Sequence, residues 1–182
     1  QRHRPATMAD YEMFCKLVHT SRELGMNGFL MVMPQDLPEK NVHLHMLFAN
    51  MTLSDKAFMS SPQSRRRARE CLDMVAILFG REKLKRHCVT ASKINPLSPL
   101  MYAPEMVGAL IEYARMGQSL QVSSLVMGGT NAPLDLAGVM VVQNSETLAG
   151  MVLIQLINPG TPCIYGGTSC GTDMKSGGLA LG

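Results

Sequence analysis

The sequence has no tryptophan, and phenylalanine and tyrosine together bring its aromatics to only 5%. Modules that hold single-stranded nucleic acid stack bases on aromatic side chains, so this composition argues against one. Charge is also scarce: 17% of residues are charged against 46% hydrophobic, and the net charge is +3. That balance belongs to a folded globular chain and excludes charge-driven disorder. The one dense basic run, Ser64-Arg-Arg-Arg-Ala-Arg-Glu70, continues into Cys71, Leu72, Val75 and Leu78 at helical spacing. It reads as the solvated face of a helix rather than a patch for nucleic acid.

Long uncharged apolar runs are missing as well. The nearest approach, Leu134 to Ile157, is interrupted by Asp135, Gln143, Asn144, Glu146 and Gln155, which fits a buried or half-buried helix better than a membrane span. The five cysteines (15, 71, 88, 163 and 170) are odd in number and lack paired spacing, as expected in a reducing cytoplasm and not in a disulfide framework. Zinc-ligand spacing is absent around Cys163 and Cys170, and His43 and His45 stand two apart, on different faces of a helix, so no directly bound metal is expected. No signal peptide precedes the first helical pattern. The sequence also lacks the lysine of a GxxxxGK[ST] loop and the spacing of GxGxxG. Its first residue is Gln1 and its last stretch is Gly177-Gly-Leu-Ala-Leu-Gly182, so a chain truncated at both ends is expected.

What is present is alternation. Strand patterns at 28–33, 57–60, 87–93, 120–128 and 162–166 alternate with helical patterns at 9–24, 40–51, 63–79, 104–116 and 134–156. Thr7 and Asp10 are placed to cap the first helix, Pro104 and Glu105 to open the fourth, and Gly117 and Gly160 to follow helix ends. Strict βα alternation predicts an α/β protein with a parallel sheet and right-handed crossovers, either open or closed into a barrel. Five βα units fit part of a (β/α)8 barrel, and both architectures place function at the carboxyl ends of the strands.

That rule selects residues before any motif does. The predicted strand ends contribute Lys93, Gly128-Gly-Thr-Asn131 and Tyr165-Gly-Gly-Thr-Ser169, with Asp173 beyond, and form a mouth that is polar and nearly uncharged. Gly128-Gly129 ahead of a helix start reads either as a phosphate cradle or as a turn kept small so that a bulky ligand can approach the backbone. The missing lysine favours the second. Asp173 is either a base or cation partner or a local turn residue, and Tyr165 either faces the mouth or packs in the core.

An ordered set of short pieces then stands out: Gly129-Thr-Asn-Ala-Pro133 with Leu136-Ala-Gly138, Gln143-Asn-Ser-Glu146 with Leu148-Ala-Gly150, Pro159-Gly-Thr-Pro162 with Tyr165-Gly166, and Asp173-Met-Lys-x-Gly177. This set resembles the trimethylamine:corrinoid methyltransferase family, most clearly over residues 94–182. The resemblance implies a (β/α)8 TIM barrel of which residues 1–182 form the central part of one domain. It implies transfer of a methyl group from a methylated amine to the cobalt of a corrinoid (cobalamin) held on a separate protein that docks at the strand carboxyl ends, a reaction of one-carbon metabolism including methanogenesis. The trimethylamine members carry pyrrolysine, and none of these 182 residues is one. The resemblance therefore lies with the branch without pyrrolysine, which includes glycine betaine methyltransferases.

The chemistry accords with that branch. A quaternary ammonium already bears its charge and departs as a neutral tertiary amine, whereas trimethylamine requires activation. On this reading Lys93, Thr130 and Asn131 are expected to hold a substrate carboxylate, Tyr165 to present its ring to the ammonium, and Asp173 to bias the cation. Gly128, Gly129, Gly166, Gly167, Thr168 and Ser169 are expected to face the corrinoid. No catalytic residue is assigned. A barrel relative that binds a quaternary amine or docks a corrinoid protein without turnover is the alternative, as is methyl transfer from trimethylamine or by a zinc-dependent, methanol-type route. A partial barrel also exposes strand edges and helix faces, so self-association is expected of these residues alone.

Overall fold

The computed structural model describes residues 4–60, 62–173 and 175–180. Thr7 caps α1 (Met8–Thr20) through a reciprocal box with Asp10, and Arg4 pairs with the same carboxylate at 2.6 Å. At the other end of α1, the Lys56 ammonium donates to the carbonyls of Val18 (2.6 Å), Leu24 (2.5 Å) and Ser21. A cation on the free carbonyls at the negative end of the helix dipole fixes α1 to the strand that Lys56 precedes.

The chain continues through β1 (Met26–Asn27), α2 (Val42–Leu53), β2 (Ala57–Ser60), α3 (Arg65–Phe79), the short α4 (Arg81–Arg86), β3 (Ala91–Ile94) and α5 (Pro104–Arg115). It then forms β4 (Ser119–Ser124), β5 (Met127–Gly128), α6 (Leu136–Ile157), β6 (Cys163–Gly167), β7 (Cys170–Thr172) and β8 (Leu179–Ala180). The main sheet has the order β1-β2-β3-β4-β6, with every neighbouring pair parallel. Strand order follows chain order without a reversal. This is an α/β fold of five parallel strands alternating with helices, as the sequence predicts.

Alternation of side chains divides the sheet into two faces. Phe58, Ile94, Leu120 and Val122 turn to the helices and form the main core with Leu47, Leu72, Val75, Leu110, Tyr113 and Ile154. The intervening positions, among them Met59, Lys93, Gln121 and Gly166, point to the opposite face, and none joins that core. A second cluster, containing Tyr11, Cys15, Phe29, Val42 and Met46, packs α1 and α2 together over the segment that follows β1.

Helix α6 has 22 residues and, with a mean hydropathy of 1.3, is long and apolar enough to cross a membrane by length and composition alone. Here it lies against α5, β4 and β6 and buries Val139, Glu146, Thr147, Gly150 and Ile154. The basic run lies on α3, where Arg65 and Arg69 pair with Glu112 and Arg66 with Glu70. All five cysteines are unpaired, and burial pushes the Cys15 thiol up to about 11 and the Cys71 thiol up to about 12, as for inert core groups.

Four local expectations change. The apolar run 28–33 is a turn and not a strand: Phe29 inserts among α1 and α2 residues, and its carbonyl accepts the Tyr11 hydroxyl at 2.9 Å, so the ladder ends at Asn27. The strand expected over 87–93 starts at Ala91, and the residues before it form α4 and a link held by Gln118, which accepts from the amides of Val89 and Thr90. The strand expected over 120–128 breaks at Leu125-Val126 into β4 and β5. The loop expected after Gly166 contains β7 and β8, an antiparallel pair, so neither β5 nor β7 follows the one-strand, one-helix rule.

Candidate functional site

On the face turned away from the main core lies a hollow of about 290 Å³, lined by the segment Gly28–Met31, Met59, Lys93 and Gln121. Register explains the grouping. Lys93 on β3 pairs with Gln121 on β4, which pairs with Ile164 on β6, so the three share one rung and one face. Phe29, Leu30, Met31 and Met59 make the wall apolar. Lys93, half-buried, has no ion pair among the described residues. The other polar lining side chain, Gln121, lies across β6 at Gly166, where an added Cβ would stand 2.9 Å from its Nε2 and 3.0 Å from the Ser123 Cβ. The glycine leaves the space that the amide occupies.

Beyond the strand ends the β4·β6 ladder continues without a gap. Thr168 donates its amide to Ser124 (2.9 Å), Cys170 to Val126 (3.0 Å), and the Val126 amide reaches the Ser169 hydroxyl (3.2 Å), leading into the parallel pair β5·β7. The turn after β5 closes on itself. Gly129 takes a φ of 80°, the left-handed region open to glycine, and its amide reaches the Ala132 carbonyl at 3.0 Å. The Asn131 side chain accepts from the Met127 amide at 2.6 Å and donates to the Leu125 carbonyl at 3.3 Å. Thr130 meets Thr172 through their hydroxyls at 3.0 Å. Asp173 accepts from the Lys175 amide (2.9 Å) and the Ser176 hydroxyl (2.8 Å), and these donors, the backbone one first, hold its carboxyl below the usual range.

The expected site residues therefore separate into groups. Lys93 stands in the hollow. Thr130, Asn131 and Asp173 gather at the carboxyl ends with Gly128, Gly129, Thr168 and Ser169, and their side-chain hydrogen bonds go to that same framework. Tyr165 points to the helix-bearing face, half exposed, with its hydroxyl on the Asn144 carboxamide at 3.2 Å. Gly166 and Gly167 face opposite sides: an added Cβ at Gly167 would stand 2.6 Å from the Gln143 amide on α6. Among the described residues, no three His, Cys, Asp or Glu side chains cluster closely enough to hold a metal.

Sequence reasoning missed Gln121, Met59 and the Phe29–Met31 wall. The one available signal was two-residue spacing from Leu120 and Val122, which marks Gln121 as pointing away from the core. It also missed Glu146, whose buried carboxylate accepts the Ser98 hydroxyl and the Leu100 amide, each at 2.7 Å, and fixes the loop that follows β3. Beside it, burial pushes the Tyr102 hydroxyl up to about 12.

The family model described as trimethylamine methyltransferase matches residues 1–182. The glycine betaine methyltransferase of Desulfitobacterium hafniense is 46% identical over 180 residues, 98% of this chain and 38% of that protein. The proline betaine:corrinoid methyltransferase of Eubacterium limosum is 40% identical over 86 residues, 47% of this chain and 18% of that protein. A trimethylamine methyltransferase of Methanosarcina acetivorans is 34% identical over 112 residues, 60% of this chain and 23% of that protein. The chain thus spans well under half the length of these relatives.

Proposed function

The chain belongs to the trimethylamine methyltransferase family, and from that premise we propose that the whole protein moves a methyl group from a betaine-like quaternary amine to the cobalt of a corrinoid carried by a partner protein. The single observation that carries the reading is the hollow, with an apolar wall of Phe29, Leu30, Met31 and Met59 and a cation, Lys93, that has no ion pair among the described residues. The similarity to two betaine methyltransferases supports it.

We propose further that residues 1–182 are consecutive βα units of one (β/α)8 barrel. The unreversed strand order supports this, because a doubly wound sheet requires a reversal. The outward residues Leu148, Val152 and Leu156 of α6 are exposed and would pack under the next unit. The hollow then opens into the barrel interior. Gly128, Gly129, Thr168 and Ser169 would form part of the rim that meets the corrinoid protein, and Thr130, Asn131 and Asp173 would keep that rim in shape. A cytoplasmic location accords with five unpaired thiols.

A reduced corrinoid supplies a cobalt nucleophile to this reaction. The methyl carbon would be attacked in line and the amine displaced: a carbon–cobalt bond would form as the C–N bond breaks, and the C–N electron pair would stay on nitrogen, leaving a neutral tertiary amine. The substrate's positive charge disperses as this happens, so an apolar wall that replaces water around the ammonium favours the transition state over the bound cation. Lys93 holds the far end of the substrate and aligns the methyl group.

The test mixes the whole protein with a reduced corrinoid protein and each candidate amine while the cobalt absorption is followed. Methylation with glycine betaine, and none with trimethylamine, is expected. No methylation from glycine betaine, proline betaine, carnitine or choline with a competent corrinoid protein would overturn the proposal, and betaine binding without methylation would leave a non-catalytic binder.

A further inference from the structure

We propose that Gln121 is a second ligand for the substrate carboxylate and sets the preference for zwitterionic amines over simple cations, an inference that rests on the betaine reading above. Lys93 and Gln121 are register partners on adjacent strands. Neighbouring strands stand about 4.8 Å apart, so two side chains on one rung can bracket a single carboxylate between an ammonium and an amide N–H. Both line the same hollow and both are half-buried. On the far side Gly166 leaves the amide its room, since a Cβ there would stand 2.9 Å from Gln121 Nε2 and make the amide shift.

The rest of the lining explains the other half of the ligand. Leu30, Met31 and Met59 bring no hydrogen-bonding side chain, as suits methyl groups on a diffuse cation. The carboxylate lies between Lys93 and the quaternary nitrogen, so the two positive charges are not in direct opposition. A cation without a carboxylate meets Lys93 uncompensated, and the same residues that admit a betaine disfavour it.

Calorimetric titration of the whole protein with glycine betaine and with tetramethylammonium separates the two roles. Wild-type protein is expected to prefer glycine betaine. Gln121→Met should weaken glycine betaine about tenfold, the size of a hydrogen bond to a charged group, and change tetramethylammonium by less than about twofold. Gln121→Glu, of the same size, should reject glycine betaine while strengthening tetramethylammonium, with circular dichroism confirming that the fold is kept. Gly166→Ala should reproduce the Gln121→Met pattern. Equal loss for both ligands in Gln121→Met, or no loss for either, would overturn the role of Gln121. If wild-type protein binds both ligands equally, this inference fails and the methyl-transfer reading stands. If it binds neither, both fail.

Discussion

The Glu146 carboxylate on α6 accepts the Ser98 hydroxyl at 2.7 Å from the loop that follows β3. Its other oxygen accepts the Leu100 amide, also at 2.7 Å, and the side chain is only 2% exposed. One buried acid thus determines the path of a segment whose Leu97, Leu100 and Met101 side chains are exposed at a strand carboxyl end. Glu146→Ala leaves the Leu100 N–H and the Ser98 hydroxyl without that acceptor and should cost about 2–4 kcal/mol. Glu146→Gln retains one acceptor for the amide and offers an NH₂ to the hydroxyl, so it should stay within about 1 kcal/mol of wild type. Urea unfolding of the whole protein measures the difference, and proteolysis at residues 97–101 in the alanine variant alone would show the loop released.

A turn further along α6, Gly150 lets the Tyr102 hydroxyl reach the Glu146 carbonyl at 2.6 Å. A Cβ at Gly150 would overlap that hydroxyl and stand 2.9 Å from Val122 Cγ1 on β4. Gly150→Ala should therefore destabilise by about 1–3 kcal/mol through overpacking, despite the better helix propensity of alanine. Tyr102→Phe removes the overlapping oxygen. In the double variant the two costs should sum to less than their separate values, and a double-mutant cycle on unfolding free energies measures the coupling. Strict additivity would place the cost of the Cβ at Val122 instead.

Gly150 also shows what the sequence made legible. The Leu-Ala-Gly pieces that carry the family resemblance end in Gly138 and Gly150, and both are close approaches: a Cβ at Gly138 would stand 2.6 Å from the Pro133 Cβ. Such glycines are visible in a sequence, although what they approach is not. The helices and the parallel order followed from periodicity and capping, with Thr7, Pro104, Gly117 and Gly160 all standing at helix ends. The turn at 28–33 was not legible, because an apolar run packs equally well as a strand or as a turn. Its conformation depends on Tyr11, a distant residue, taking the Phe29 carbonyl. β7 and β8 are three and two residues long, too short for any period to register. At the site, placement at a strand end led to Lys93, while Gln121 depended on register, a property of two strands together.

His43 gives the last prediction, on pH. Its Nε2 lies 3.0 Å from a Glu70 oxygen, while its Nδ1 is buried without a partner among the described residues. The neutral ring suits this setting, with Nε2–H donating to the carboxylate and Nδ1 bare. Burial lowers the pKa below the ordinary 6.5; Glu70 acts in the opposite direction, and Arg67 and Arg66 reinforce the lowering. The unfolded chain therefore binds a proton near pH 6.5 that the folded chain takes up only at lower pH. Stability from this group is present above pH 6.5 and is lost as pH falls through the folded value. In the whole protein, His43→Gln should flatten the dependence of unfolding free energy on pH between 7 and 5, with little change in slope above pH 7. An unchanged slope between 7 and 5 in the variant would assign the acid sensitivity to other groups.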